Sequence, residues 1–106
     1  MVHLTCDGET SEGDLAAFRL LKPIAGKFKT FSATKQVNAT GSEARMEFEN
    51  LTISFYNLNI GYDGMGPGCL VQMLAEVGMN KAALIKIVEK AKAELVVEGN
   101  DVTTVR

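Results

Sequence analysis

The sequence predicts a single α+β domain, a two-layer sandwich in which helices pack on one face of an antiparallel sheet. The chain has 106 residues, 46% of them hydrophobic and 23% charged, which suits one domain with its own core. In the middle of the chain apolar residues alternate with polar ones, whereas on both sides they recur at helical spacings. We therefore expect one domain over residues 1–106, with the sheet at about 27–60 and helices at about 12–22, 67–77 and 81–95.

The first elements are expected to be a short strand at 2–5 and a helix at about 12–22. Ser11 suits the N-cap, because its hydroxyl can accept a first-turn amide and Asp14 follows where a carboxylate can reach back. Three large apolar residues recur at helical spacing on one face of this helix: Leu15, Phe18 and Leu21. Pro23 disfavours helical backbone in the residue before it, so the helix is expected to end there.

The sheet is expected to begin with a long strand from Lys27 to Val37, followed by a polar connection at 38–42 and an antiparallel partner strand. Beyond that partner, the alternation of apolar residues changes phase near Asn50 and again near Tyr56. Either bulges at these points bend one long strand, or a turn divides it into two. The sequence allows both alternatives for the stretch of chain that ends at Ile60.

The glycine-rich segment 61–68 is expected to lead into the second helix. Gly78 suits the end of that helix, and Asn80 suits the N-cap of the third. The third helix carries an apolar stripe at spacings of three and four: Leu84, Ile87, Val88, Ala91 and Leu95. A polar turn then precedes residues 102–106, which form either a short last strand or a frayed tail. The expected order is β, α, β, β, with room for one further β, then α, α and a final β.

Charge and cysteine content indicate the class of protein. The formal net charge of -2 provides no overall field that would attract polyphosphate or an anionic membrane. Cys6 and Cys69 are the only cysteines, and we interpret both as free thiols in a reducing cytoplasm. The N-terminal residues are acidic, and no apolar run approaches about 18 residues, so neither an export signal nor a membrane span is predicted.

Three glycines before the second helix form a candidate anion loop, because bare backbone amides at a helix N-terminus can hold an anion: Gly64, Gly66 and Gly68. The spacing matches neither the Walker loop nor the dinucleotide-binding fingerprint. Asp63, the only charged residue of the loop, would repel phosphate. A flexible connector or a close-packed turn is therefore the favoured interpretation.

Residues 69–94 resemble a helix-turn-helix, with Gly78 at the turn. In that case the candidate DNA contacts are Asn80, Lys81 and Lys86. However, Leu74 occupies the position where the motif has a small residue, and the chain is not basic. A DNA-binding regulator is thus the alternative function, and a helical hairpin that covers the sheet is the simpler structural interpretation.

Residues suited to catalysis or metal binding are few. His3 is the sole histidine and lies beside the N-terminus, so no second imidazole exists for a common zinc site. Cys69 could be reactive if the N-terminus of the second helix lowered the pKa of its thiol, or it could be a small buried apolar residue. We predict no catalytic residue, no metal site and no cofactor, and we do not expect an enzyme.

The strongest functional signal is a surplus of apolar residues. Met65, Met73 and Met79 cluster around the second helix, and Ile85 lies off the main stripe of the third. Such an exposed apolar face is expected to be buried by a second copy of this chain, by a partner protein or by a small apolar ligand. We predict Met73, Met79 and Ile85 as ligand or interface residues. The predicted function is a soluble, non-catalytic binding module, a homodimer that engages its partner or ligand through the sheet face or these helices.

Overall fold

The computed structural model describes residues 2–7, 9–35 and 42–106. Within these ranges the chain forms a six-stranded mixed sheet and three helices. The predicted α+β sandwich is thus confirmed. The elements are β1 (Val2–Cys6), α1 (Ser11–Ala25), β2 (Phe28–Lys35), β3 (Ser42–Phe48), β4 (Leu51–Phe55), α2 (Met65–Glu76), α3 (Lys81–Lys90), β5 (Glu94–Glu98) and β6 (Asp101–Val105).

The strand order in the sheet is β1-β4-β3-β2-β5-β6. β1 pairs with β4 in parallel, and the other neighbours are antiparallel. The strands predicted at about 27–60 therefore form the centre of the sheet, β4-β3-β2. β1 lies on one side of this centre, and β5 and β6 lie on the other. A parallel pair needs a crossover between its strands, and α1 lies within the connection from β1 to β4.

One face of the sheet is buried against the helices, because alternate side chains of each strand point to opposite faces. Phe31, Met46 and Ile53 lie side by side across three strands, and each is fully buried. The opposite face carries polar side chains. There His3 Nε2 lies 2.8 Å from Ser54 Oγ, which joins the edge strand β1 to its neighbour.

The ends of α1 differ from the prediction. Thr10, not Ser11, is the N-cap, and its hydroxyl accepts a first-turn amide at 3.0 Å. Pro23 lies inside the helix, which continues to Ala25. This last turn is stabilised by contacts distant in sequence: Ala25 is fully buried and its carbonyl accepts the Asn50 amide at 2.9 Å. Tertiary packing thus outweighs the local effect of the proline.

The change of phase near Asn50 is a turn, since β3 ends at Phe48 and β4 begins at Leu51. The sheet does not continue to Ile60, because the chain leaves it after Phe55. The first long strand, predicted over 27–37, is Phe28–Lys35 among the described residues, and positions 36 and 37 lie outside them. Of the predicted connection at 38–42, residues 38–41 lie outside the described ranges.

The C-terminal helices are partly as predicted. Asn80 caps α3, with its Oδ1 accepting the Ala83 amide at 3.1 Å. α2 begins at Met65, slightly before the predicted start. α3 ends at Lys90, so the prediction of a helix to residue 95 is wrong: Leu95 is a fully buried residue of β5. The predicted last strand exists as β6. None of the helices in the described ranges is long and apolar enough to cross a membrane.

Candidate functional site

The candidate site lies around Tyr62, in the irregular segment that connects β4 to α2. Tyr62 is 43% exposed. Within the described residues, three grooves share it as a wall. We call them the α2–α3 groove, between those helices; the α1 groove, beside the N-terminus of α1; and the lysine groove, beside the C-terminal end of α3. The position of Tyr62 therefore shapes all three.

Gly61 attaches this segment to the end of α3. Its amide donates to the Val88 carbonyl at 2.9 Å, and its own carbonyl accepts from Lys92 Nζ at 2.8 Å. The backbone has a φ of +90°, which favours glycine, and a Cβ here would lie 2.9 Å from the Ala91 carbonyl oxygen. No other residue fits this approach without strain, so Gly61 sets how closely the Tyr62 segment lies against α3.

Two of the three glycines in the candidate anion loop are explained by close packing. A Cβ on Gly64 would lie 2.5 Å from Tyr62 Cε2, and one on Gly66 would lie 3.0 Å from Asn59 Cβ. Gly68 has no such neighbour within 4 Å. The contacts agree with a close-packed turn that supports Tyr62 and Asn59. An anion held by Gly64, Gly66 and Gly68 stays a prediction.

The start of the segment is held by a buried carboxylate of α1. Asp14 is fully buried, and its Oδ2 accepts the backbone amide of Asn57 at 2.8 Å. Asn57 Nδ2 also donates to Asp14 Oδ1 at 3.2 Å and to Asp7 Oδ1 at 3.0 Å. The hydrogen bonds from Asn57 and from the Glu9 amide lower the pKa of Asp7. Asp14 thus links α1 to the chain that leads to Tyr62.

The α2–α3 groove has an apolar floor and a charged rim. Pro67, Val71 and Val88 are buried beneath it, and Ile85, a residue that is 44% exposed, forms a wall. The rim carries charges of both signs: Asp63, Lys81 and Glu89. The groove volume is about 270 Å³. This is close to the lower limit of known ligand pockets, so it suits a small molecule.

The predicted ligand or interface residues are separated by the fold. Ile85 lines the α2–α3 groove. Met79 is half-buried against the core, and Met73 is fully buried within it. Met73 is therefore a core residue and cannot contact a ligand or partner at the surface. Met65 is 63% exposed and lines the α1 groove instead.

The predicted DNA contacts are largely engaged within the protein. Asn80 caps α3, and Lys81 Nζ donates to Gln72 Oε1 of α2 at 3.0 Å. Lys86 is exposed and lines the lysine groove. α2 and α3 pack against each other as a hairpin, joined by a turn in which Gly78 has a φ of +110°. Binding of duplex DNA by this hairpin stays a prediction.

Cys69 is not activated by its place near the start of α2. Burial raises the pKa of its thiol, and the nearby Glu12 carboxylate raises it further, so of the two alternatives Cys69 is the small buried apolar residue. The pKa of Cys6 is likewise raised by burial and by Asp14. His3 lies on the polar face of the sheet, whereas Cys69 belongs to the core beneath the helices, so the two do not form a catalytic pair. Among the described residues no group of histidine, cysteine and acidic side chains could hold a metal ion.

Sequence reasoning missed the lysine groove. Its walls include Lys86, Lys90 and Lys92, and its volume is about 470 Å³. Lys35, at the end of β2, places its Nζ 5.8 Å from the centre of the Tyr62 ring. The spacing of Lys86 and Lys90 by one helical turn is visible in the sequence. Only the fold brings Lys35 and Tyr62 to the same place.

Comparison with protein-family models, curated proteins and solved structures found no match to this chain. The geometry around Tyr62 is therefore the basis on which a function is proposed.

Proposed function

We propose that this protein is a small binding module that holds a small apolar ligand in the α2–α3 groove. The observation that carries the proposal is Ile85, an exposed apolar wall above the buried apolar floor of Val71 and Val88. Covering such a surface stabilises a complex by about 25 cal/mol per Å² of apolar area removed from water. A concave apolar floor with a few polar groups at its rim is typical of ligand sites.

The size and shape of the groove favour a ligand with a short alkyl chain or a single aromatic ring. At about 270 Å³ the α2–α3 groove is too small for most cofactors of drug size or larger. Tyr62 at one side offers a flat aromatic surface, and Ile85 at the other offers a branched aliphatic one. Both kinds of contact are favourable to an apolar chain lying between the helices.

Replacing Ile85 with aspartate is expected to weaken binding of 1-octanol at least about tenfold, because a carboxylate in the wall of an apolar groove must be desolvated by the ligand. The measurement is a titration of ¹⁵N-labelled protein with 1-octanol, followed by the amide chemical shifts of residues 68–71 and 84–88. Leu20→Asp, on the outer surface of α1, is the matched control and should leave octanol binding unchanged. An octanol affinity equal in wild type and Ile85→Asp, or no shift in the wild type, would contradict the proposal.

We further propose a homodimer formed through the outer face of α1. Four exposed apolar residues share that face: Ala16, Leu20, Pro23 and Ile24. Leu20 is 80% and Ile24 63% exposed. The cations beside them turn towards α2, where Arg19 Nη2 lies 2.9 Å from Glu76 Oε2 and Lys22 Nζ donates to the Glu76 carbonyl at 2.6 Å. The stripe is thus left uncharged, which supports self-complementary pairing of two copies.

Replacing Leu20 with aspartate is expected to convert the dimer to a monomer, at a cost to dimerisation of about 2 kcal/mol or more for each copy. Native mass spectrometry measures this directly and reports any bound small molecule in the same spectrum. Ile85→Asp is here the control and should remain dimeric. A monomeric wild type, or a Leu20→Asp variant that stays dimeric, would exclude this interface.

We also propose that the protein resides in the reducing environment of the cytoplasm. Cys6 and Cys69 are both free thiols, and Cys69 is buried. The raised pKa of each thiol favours its protonated, unreactive form. Both features suit a protein whose cysteines contribute to packing rather than to covalent links.

A further inference from the structure

We propose that the ligand of the α2–α3 groove carries an anionic group, which lies in the adjoining lysine groove against Lys86 and Lys90. This inference rests on the proposed function, since it assigns the second half of the same ligand. The two grooves share Tyr62, Asp63 and Glu89 as walls. One elongated molecule can therefore place an apolar chain beside Ile85 and its polar end beside the lysines.

The lysine groove is lined by three lysines and by the two acidic residues Asp63 and Glu89, in a protein whose formal net charge is -2. Lys86 and Lys90 lie one helical turn apart on α3, both exposed, so their ammonium groups repel each other. Lys92 Nζ is fixed close by through its hydrogen bond to the Gly61 carbonyl. Lys35 Nζ lies over the Tyr62 ring. Three of these lysines come from α3 and the residues just after it, and Lys35 comes from β2; an anion in the groove would relieve the repulsion between the lysines that line it.

The acidic residues of the two grooves indicate which anion fits. Asp63 and Glu89 lie where the grooves meet, so they oppose a group that carries more than one negative charge. A monoanionic carboxylate keeps the attraction to the lysines with less repulsion than a phosphate. The ligand class is therefore an amphipathic carboxylate with a short alkyl or aromatic body.

The test compares octanoate with 1-octanol, which have the same chain length and differ in charge. At low ionic strength we expect octanoate to bind wild-type protein about tenfold more tightly, as two exposed charge contacts allow. The double variant Lys86→Gln/Lys90→Gln should lose about tenfold in octanoate affinity and keep its octanol affinity. The preference for octanoate should also shrink as salt is raised, because exposed charges are screened.

The matched control is Lys27→Gln/Lys29→Gln, which removes two exposed lysines outside the lysine groove and should change neither affinity. If octanol binds and octanoate binds no more tightly, the anionic group is excluded while the apolar site stands. If neither probe binds, the apolar site itself is wrong and this inference falls with it. An octanoate preference that survives Lys86→Gln/Lys90→Gln would overturn the placement of the carboxylate.

Discussion

Replacing Asp14 with alanine is expected to lower the free energy of unfolding by about 3 kcal/mol. Asp14 is fully buried, and its carboxylate accepts both the backbone amide and the side-chain amide of Asn57. Alanine removes both acceptors, so at the point where α1 meets the Tyr62 segment the Asn57 backbone amide loses its acceptor and the Asn57 side-chain amide keeps only Asp7. Urea denaturation followed by circular dichroism measures the change.

Two further variants test how the hydrogen bonds of Asp14 contribute, as distinct from a carboxylate in this turn of α1. Asp14→Asn keeps the volume and one acceptor oxygen but turns its Nδ2 towards one of the two Asn57 donors, so it should cost about 2 kcal/mol. Glu12→Ala removes an exposed carboxylate from the same turn of α1, and should stay within about 0.5 kcal/mol of wild type. If Asp14→Ala were as mild as Glu12→Ala, the link between α1 and Asn57 would not be a determinant of stability.

Replacing Gly61 with alanine is expected to cost about 3 kcal/mol, the sum of backbone strain and a close contact. The positive φ disfavours any residue with a Cβ, and that Cβ would lie 2.9 Å from the Ala91 carbonyl oxygen. The backbone cannot easily move away, because the Gly61 amide is bonded to the Val88 carbonyl. Denaturation should show a lower free energy of unfolding, and the octanol titration should show a lower affinity of the α2–α3 groove for octanol.

Gly99→Ala is the matched control for this prediction. Gly99 also has a positive φ, of +61°, but no atom lies within 4 Å of the position of its Cβ. It should therefore show the strain alone, about 1 kcal/mol. Equal costs at the two positions would mean that the contact between Gly61 and α3 adds nothing.

The fold class could be predicted because it depends on local patterns. The alternation around Phe31 and Met46 places those side chains on one face of a sheet whichever strands become neighbours. The cap at Asn80 forms between its side chain and an amide three residues later. Such features are complete within a few residues, and the structure retains them.

The predictions of secondary structure are wrong where contacts between residues far apart in sequence determine the local conformation. α1 passes through Pro23 because Ala25 is buried and its carbonyl is bonded to Asn50. Leu95 continues the helical spacing of α3 and yet belongs to β5, where it pairs with Ala33. At both places the local pattern permits two conformations, and burial elsewhere in the chain selects one.

The candidate site likewise contains one residue that local spacing predicts and others that only the fold brings together. Ile85 was identified from its spacing, because a residue off the buried stripe of a surface helix must face outward. Met73 was misassigned because α2 packs against both α1 and α3, which buries sides of the helix that spacing alone would leave exposed. Tyr62 and Lys35 meet only after the chain has folded.

The sequence by itself thus determined the α+β class, the approximate positions of most strands and helices, and one residue of the proposed groove. Periodicity and capping act over a few residues, so they can be recognised without the rest of the chain. Only the tertiary structure decided that Gly61 holds Tyr62 against α3 and that Lys86, Lys90 and Lys92 adjoin an apolar groove. Those arrangements depend on contacts between elements far apart in sequence, whose free energy no local pattern contains.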